Sequence, residues 1–156
     1  MEDTYLTFLD KTSNYIEPNQ RLLVKFPSDS LPNWLPLSII EKVKSYYYTT
    51  ESDEPFIIVF YESKKQEKCY KTFFSRKIKV PESDIIEETC EIWDSLGDYI
   101  DIIKIVEELS NTNKISVYKV LIETKEYLWI LGWRNKEGLI GVHTMGRINR
   151  TSICGL

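Results

Sequence analysis

The sequence predicts an α+β domain in which helices cover both faces of one mixed, mainly antiparallel sheet, as a three-layer α/β/α sandwich. Three observations lead to this prediction. The chain has 156 residues, of which 42% are hydrophobic, and this suits one domain with a sizeable core. Its patterned segments follow the order helix, strand, strand, helices and then three strands. Short connections separate the last three segments, which is typical of an antiparallel meander.

The first part of the chain is proline-rich, and we expect it to be separate from the domain. Three prolines lie within "FPSDSLPNWLP", and proline disfavours helix. We therefore predict an N-terminal arm at residues 1–37, with an edge strand at residues 21–26, followed by one domain at residues 38–156.

The domain is predicted to begin with a helix and a buried strand. "SIIEKVKSYYY" has apolar residues at helical spacing, and Ser38 with Glu41 has the spacing of a capping box. The helix is expected to end near Tyr48, and "FIIVFY" is expected to be a central strand. Between them lies a polar segment without cations, "TTESDE", which we expect to connect the helix to the strand.

A second strand and further helices are predicted next. "CYKTFFSRKIKV" is expected to be a strand that ends before Pro81, with a turn at "FFSR". Asp84 and Glu87 have capping-box spacing for a helix that Gly97 bends or splits. Beyond Gly97, apolar side chains recur on one helical face at Tyr99, Ile102, Ile103, Val106 and Leu109.

The remaining segments, "ISVYKVLI", "EYLWILGW" and "GLIGVHTM", are predicted to form the meander. Trp129 and Trp133 lie four residues apart on one strand, so their side chains point to the same face and are expected to pack in the core. His143, on the last strand, is expected to be a packed or surface residue.

Charge and cysteine content exclude several classes of protein. The net charge is −4 and no cluster of cations stands out, so we expect no direct binding of nucleic acid. The cysteines at positions 69, 90 and 154 are widely spaced, which is typical of free thiols in a reducing compartment. We find neither a signal-peptide pattern nor an apolar run of about 20 residues. We therefore expect a cytoplasmic protein that does not associate with membranes.

The sequence gives little indication of catalysis. A second histidine, a glycine-rich phosphate loop and a nucleophile elbow are all missing. An enzyme would need a pocket on the meander face around His143, Trp129 and Trp133. The pattern instead favours a binding protein with no cofactor and no metal of its own. Trp34 and Trp93 are candidate partner contacts, because tryptophan is enriched at interface hot spots.

Three blocks resemble the nuclease A inhibitor family, which consists of small bacterial proteins that block a sugar-non-specific nuclease. The blocks are "ESDEPFIIVFYE", then "FFSR" followed by a proline and an acidic stretch, and finally "VYKVLIE", "LWILGW" and "GLIGVHT" after a helix. Their order and spacing carry the resemblance, which covers roughly residues 38–149. It implies the α/β/α sandwich first described for plant pathogenesis-related protein 1.

The resemblance also implies a function. Family members insert acidic and hydroxyl groups into the metal site of a nuclease that degrades DNA and RNA, and they catalyse nothing themselves. Glu51 corresponds to a principal acidic contact of the family, and Ser52, Asp53 and Glu54 are expected to share its role. Carboxylate oxygens are suitable partners for Mg²⁺ and its bound waters.

Two family contacts have only displaced counterparts in this sequence. The family's chain-terminal threonine is represented by Thr151, which is not terminal, and its interface tryptophan by Trp93, which lies further along the chain. We expect both residues at the rim of the site, a protein partner that is a nuclease, and a monomer when free. The alternative left open is an immunity or interaction module that binds a different toxin or partner on the same scaffold.

Overall fold

The computed structural model describes residues 26–148, which contain four α-helices, a two-stranded hairpin and a five-stranded sheet. The helices are α1 (Leu37–Val43), α2 (Tyr70–Ile78), α3 (Cys90–Trp93) and α4 (Ile100–Ser110). The strands are β1 (Tyr47–Thr49), β2 (Asp53–Pro55), β3 (Ile57–Glu62), β4 (Ile86–Thr89), β5 (Ile115–Ile122), β6 (Lys125–Arg134) and β7 (Gly138–Arg147). None of the helices within this range is long and apolar enough to cross a membrane.

The five-stranded sheet has the order β3-β7-β6-β5-β4, and each neighbouring pair is antiparallel. The α+β class and the meander of β5, β6 and β7 are therefore confirmed. A mixed sheet was expected, whereas the sheet formed by residues 26–148 has no parallel pair. Most of the predicted edge strand at residues 21–26, together with Thr151 and Cys154, lies outside the described residues.

Helices lie on both faces of this sheet. On one face, which we call the α2 face, the aromatic residues Phe73 and Phe74 of α2 pack with Trp129. On the opposite α4 face, Ile102 and Val106 pack with the sheet cluster that includes Ile130, and α1 adds its buried valine to the same cluster. The apolar stripe predicted for α4 is confirmed, with Ile103 and Tyr99 only half-buried.

Helix α1 is shorter than the sequence indicates. It ends at Val43, and no side chain caps it, so the predicted capping box of Ser38 and Glu41 does not form. Tyr47 and Tyr48 lie in β1 instead. The helical periodicity continued through the tyrosines, but burial of the Tyr48 ring against the sheet outweighs this local preference.

The polar segment between helix and strand is a β-hairpin, which corrects the expected helix-to-strand connection. Strands β1 and β2 pair from Tyr47 with Pro55 to Thr49 with Asp53, and residues 50–52 form the loop. We call residues 47–55 the acidic hairpin. Its paired backbone gives this segment a defined geometry that a simple connection would lack.

Within residues 26–148, β3 lies at one edge of the sheet, whereas a central strand was predicted. Its apolar composition is explained by burial on both faces. Asp29 covers part of the open edge: its N–H donates to Phe60 O at 3.0 Å, and its Oδ2 accepts from Glu62 N at 2.7 Å. Lys77 of α2 lies 2.9 Å from the same carboxylate oxygen. Part of the predicted arm is thus in contact with the sheet.

Two segments in the middle of the chain were assigned to the wrong type of structure. "CYKTFFSRKIKV" forms α2 instead of a strand, because Phe73, Phe74 and Ile78 lie on one helical face and are buried together. Residues 86–89, expected to be helical, pair with β5 as β4. Gly97 has φ +76° and separates α3 from α4, as predicted.

Candidate functional site

The acidic hairpin presents Glu51 at its tip. Glu51 and Asp53 are exposed, whereas Ser52 and Glu54 are half-buried. Hydrogen bonds close the turn, because Thr50 N donates to Ser52 O at 3.1 Å and the Ser52 hydroxyl donates to Glu54 Oε2 at 3.4 Å. The four predicted contact residues 51–54 therefore lie in the loop and first part of β2, and Glu51 is exposed in the loop.

The hairpin is negatively charged, and no ion pair within residues 26–148 neutralises its carboxylates. Residues 45–63 contain no Lys or Arg. Among the described residues, Glu51, Asp53 and Glu54 make no ion pair. Carboxylates that lack an internal cation remain available to a positively charged partner.

The end of β7 holds the hairpin in place. Arg147 N donates to the Thr50 hydroxyl oxygen at 2.9 Å, and the Thr144 hydroxyl donates to Pro55 O at 3.0 Å. A Cβ atom on Gly146 would lie 2.8 Å from side-chain atoms of both Thr50 and Tyr48. The glycine therefore allows the hairpin to lie directly on the strand.

A buried polar network connects β1 to the sheet. The Tyr48 hydroxyl donates a short hydrogen bond to Glu126 Oε1. Lys119 Nζ lies 3.7 Å from Glu126 Oε2 and 2.8 Å from Glu88 Oε1. Burial, and secondarily the Glu126 carboxylate, raise the pKa of Tyr48, so the phenol stays protonated and acts as the donor.

Trp93 lies at the base of the acidic hairpin. Its ring stacks on Tyr99, with centroids 4.9 Å apart, and its centroid is 6.1 Å from that of Tyr48. Tyr99 also contacts β1, because its hydroxyl oxygen accepts a hydrogen bond from Thr49 N at 3.3 Å. Trp93 is half-buried, so one part of its ring packs against the hairpin and another part reaches the surface.

The other candidate tryptophan is far from this site. Trp34 lies near the β6–β7 turn, with the Arg134 guanidinium 4.3 Å from its ring centroid and Glu137 Oε1 3.4 Å from its Nε1. The acidic hairpin lies at the opposite end of β7, beside Gly146. Thr151 lies outside the described residues.

The α2 face of the meander is filled with side chains. Trp129 stacks on His143 at 4.3 Å and donates to the Tyr61 hydroxyl at 3.1 Å, and Phe26 packs against it edge-on. Tyr70 of α2 stacks on Trp133 at 4.9 Å. The expected core packing of Trp129 and Trp133 is confirmed, because both side chains are buried in this cluster.

His143 is a packed strand residue, as expected. Its Nδ1 lies 2.8 Å from Leu128 O, a carbonyl that can only accept, so Nδ1 carries the proton. Burial lowers the pKa of His143 to about 4, which keeps the ring neutral near pH 7. Cys69 and Cys90 are free, also as expected. Residues 26–148 contain no group of three or more metal-ligating side chains close enough to hold an ion.

Sequence reasoning missed Tyr48, Tyr99 and Glu126, which position the hairpin. A signal for Glu126 was present, because it alternates with Leu128 and Ile130 and so must point to the covered α4 face of β6. A carboxylate at a core position indicates a buried partner. The identity of that partner depends on contacts between residues distant in sequence.

The family comparison covers both the hairpin and the sheet. A family model described as NuiA-like matches residues 1–146 of the chain. This range includes the acidic hairpin, Thr144, Glu126 and Tyr99, which contact it, and the five strands of the sheet up to Gly146. No protein with curated annotation matches the chain.

Proposed function

The chain belongs to the NuiA-like family, which suggests a role in nuclease inhibition, and we propose that it blocks the metal-containing active site of a sugar-non-specific nuclease. In this proposal it catalyses no reaction. It acts as a bacterial cytoplasmic inhibitor, monomeric when free, that protects the producing cell. We further propose that its helix-covered sheet corresponds to the α/β/α sandwich of plant pathogenesis-related protein 1.

The exposed Glu51 carboxylate at the tip of a fixed hairpin is the observation that carries this proposal. Hydrogen bonds from Thr144 and Arg147 join the hairpin to β7, and Tyr48 joins it to Glu126. A group that is already ordered loses little conformational entropy on binding. The hairpin therefore suits insertion into a cleft better than a mobile loop would.

The chemistry of the tip fits a cationic cleft. A nuclease that cleaves both DNA and RNA must attract phosphates, so its active site combines a divalent cation with basic side chains. In the proposed complex, a Glu51 oxygen binds Mg²⁺ or one of its waters, in the place that a substrate phosphate oxygen would take. Ser52, Asp53 and Glu54 contact the surrounding donors, and the body of the hairpin excludes nucleic acid.

The packing of the meander face supports a non-enzymatic role. Its only histidine is buried and neutral near pH 7, and helix α2 occupies the space above Trp133. The half-buried Trp93 lies beside the hairpin, which supports a contact at the rim of the interface. We retain Thr151 as a second proposed rim contact.

A nuclease assay tests this function. The full chain is mixed with a metal-dependent, sugar-non-specific nuclease encoded in the same genome, and degradation of DNA and of RNA is followed against inhibitor concentration with Mg²⁺ present. We expect activity on both substrates to fall to the background at stoichiometric inhibitor. Undiminished degradation at excess inhibitor would refute the proposal. Specific binding to a non-nuclease toxin would instead support the interaction-module alternative.

A further inference from the structure

A shallow apolar groove lies beside the acidic hairpin, between α3 and the first turn of α4. Its volume is about 420 Å³, and Cys90, Leu96, Ile100 and Ile103 supply its apolar lining. Leu96 is 86% exposed and Ile100 is 47% exposed. Single exposed leucines are common on protein surfaces, but a contiguous group that lines a groove is typical of a binding site.

The turn that carries Leu96 has a fixed conformation. The Asp94 carboxylate accepts hydrogen bonds from Asp98 N at 2.8 Å and from Tyr99 N at 2.9 Å. Gly97 adopts φ +76°, and its N–H donates to Asp94 O at 3.0 Å. The leucine is therefore held in solvent by an ordered turn, so binding through it needs little further ordering.

Acidic residues lie on and next to the segments that line the groove. Residues 80–103 contain no Lys or Arg, and they include eight acids: Glu82, Asp84, Glu87, Glu88, Glu91, Asp94, Asp98 and Asp101. Three of these, Glu91, Asp98 and Asp101, are exposed on or next to the segments that line the groove. An apolar centre with a negative rim complements a surface that presents an apolar side chain among cations.

Two aromatic residues within the groove-lining segments contact the acidic hairpin. Trp93 is the last residue of α3, after the groove-lining Cys90. Its ring stacks on Tyr99, and the Tyr99 hydroxyl oxygen accepts a hydrogen bond from Thr49 N of β1. The hairpin likewise has no cation between residues 45 and 63. The hairpin and the groove-lining segments are thus joined through this aromatic pair, and neither contains a Lys or Arg.

We propose that this groove is a second docking site for the nuclease and receives a segment with an apolar side chain flanked by Lys or Arg. The inference rests on the proposed function, because the hairpin determines which partner is brought next to the groove. Burial of Leu96 and Ile100 contributes apolar contact, and the acidic rim pairs with the flanking cations. Unlike the Glu51 contact, this one involves no metal ion.

That difference gives the test. Binding of the full chain to the nuclease encoded in the same genome is measured by calorimetry with Mg²⁺ and again with EDTA. The double variant Leu96→Ser/Ile100→Ser is compared with Glu51→Gln and with Leu37→Ser, an exposed leucine outside the groove. We expect the double variant to lose roughly tenfold or more in affinity under both conditions. Glu51→Gln should lose affinity mainly with Mg²⁺, and Leu37→Ser should bind as the wild type does.

The outcomes separate the two proposals. Wild-type affinity of the double variant, together with weak binding of Glu51→Gln, overturns the groove and leaves the inhibitor function intact. The inference is also contradicted if the double variant binds more weakly than the wild type with Mg²⁺ but binds as the wild type does in EDTA. No binding by the wild type removes both proposals. The free chain could also form a dimer at high concentration. If Leu96→Ser/Ile100→Ser abolishes such a dimer, the groove binds a second copy of this chain and the nuclease proposal for the groove is overturned.

Discussion

The Tyr48 hydroxyl donates a hydrogen bond to the buried carboxylate of Glu126, a residue 78 positions further along the chain. Glu126 also lies beside Lys119, which in turn pairs with Glu88. A buried carboxylate is costly unless it has such partners. The bond therefore makes the base of the acidic hairpin part of the sheet's own polar network.

Removal of that hydroxyl should destabilise the protein. Tyr48→Phe removes the hydrogen-bond donor to Glu126 Oε1, and we expect the free energy of unfolding to fall by about 1–3 kcal/mol. Urea denaturation followed by circular dichroism measures this change. The neighbouring Tyr47→Phe is the matched control, because that ring is 52% exposed and should tolerate the change. Equal losses for the two variants would contradict the assigned role.

Neutralisation of the hairpin tip should weaken binding and leave stability unchanged. Glu51→Gln keeps the shape of the side chain and removes its charge, so we expect a loss of about 2 kcal/mol or more, roughly a 30-fold rise in Kd. Calorimetry with the nuclease and Mg²⁺ measures this rise. Glu108→Gln is the control, since it removes the same charge from an exposed position on α4. An unchanged Kd for Glu51→Gln would exclude Glu51 from the interface.

Stability should depend on pH through His143. Burial lowers the pKa of His143 from 6.5 to about 4, so between these values the unfolded chain binds a proton that the folded chain does not. The stability that the neutral His143 ring contributes to the fold is fully present above about pH 6.5 and is lost as the pH falls towards 4. Its full size is on the order of 3 kcal/mol.

The pH dependence is measured by urea denaturation of the wild type and of His143→Phe, which retains a ring to stack on Trp129. As the pH falls from about 6.5 to about 4.5, the wild type should lose more unfolding free energy than His143→Phe does. Parallel pH profiles would show that His143 is not the responsible group.

A methyl group at Gly141 should disrupt the sheet. A Cβ atom there would lie 1.9 Å from Ile130 O on the neighbouring strand, a backbone atom that cannot move without breaking β6–β7 pairing. We expect Gly141→Ala to cost about 3 kcal/mol or more in unfolding free energy. Gly97→Ala meets only the flexible Ile100 side chain and should cost about 1 kcal/mol through its positive φ. A thermal melt of each variant checks this order.

The parts of the fold that could be predicted are those whose signal is local. The β5–β7 meander follows from alternation and short connections, and the break at Gly97 follows from the glycine itself. Phe73, Phe74 and Ile78 did not distinguish helix from strand, because a short apolar run fits either until its packing partner is known. Helix α2 is selected by the aromatic residues of the sheet face that it covers.

The same distinction applies to the site. The polarity of residues 49–54 was sufficient to predict an acidic surface segment, and Glu51 does lie exposed. That the segment is a hairpin could not be predicted, because Tyr48 is drawn into a strand by contacts with Trp93, Tyr99 and Glu126. These partners lie between 45 and 78 positions away, beyond any local pattern.

Asp29 has a consequence for how the protein behaves at high concentration. Its backbone and carboxylate occupy hydrogen-bonding groups along the outer side of β3, and Lys77 fixes the carboxylate there. An uncovered apolar strand at that position would template the addition of strands from other molecules and so promote aggregation and fibril growth. Within residues 26–148, Asp29 thus occupies positions at which a strand from another molecule could be added.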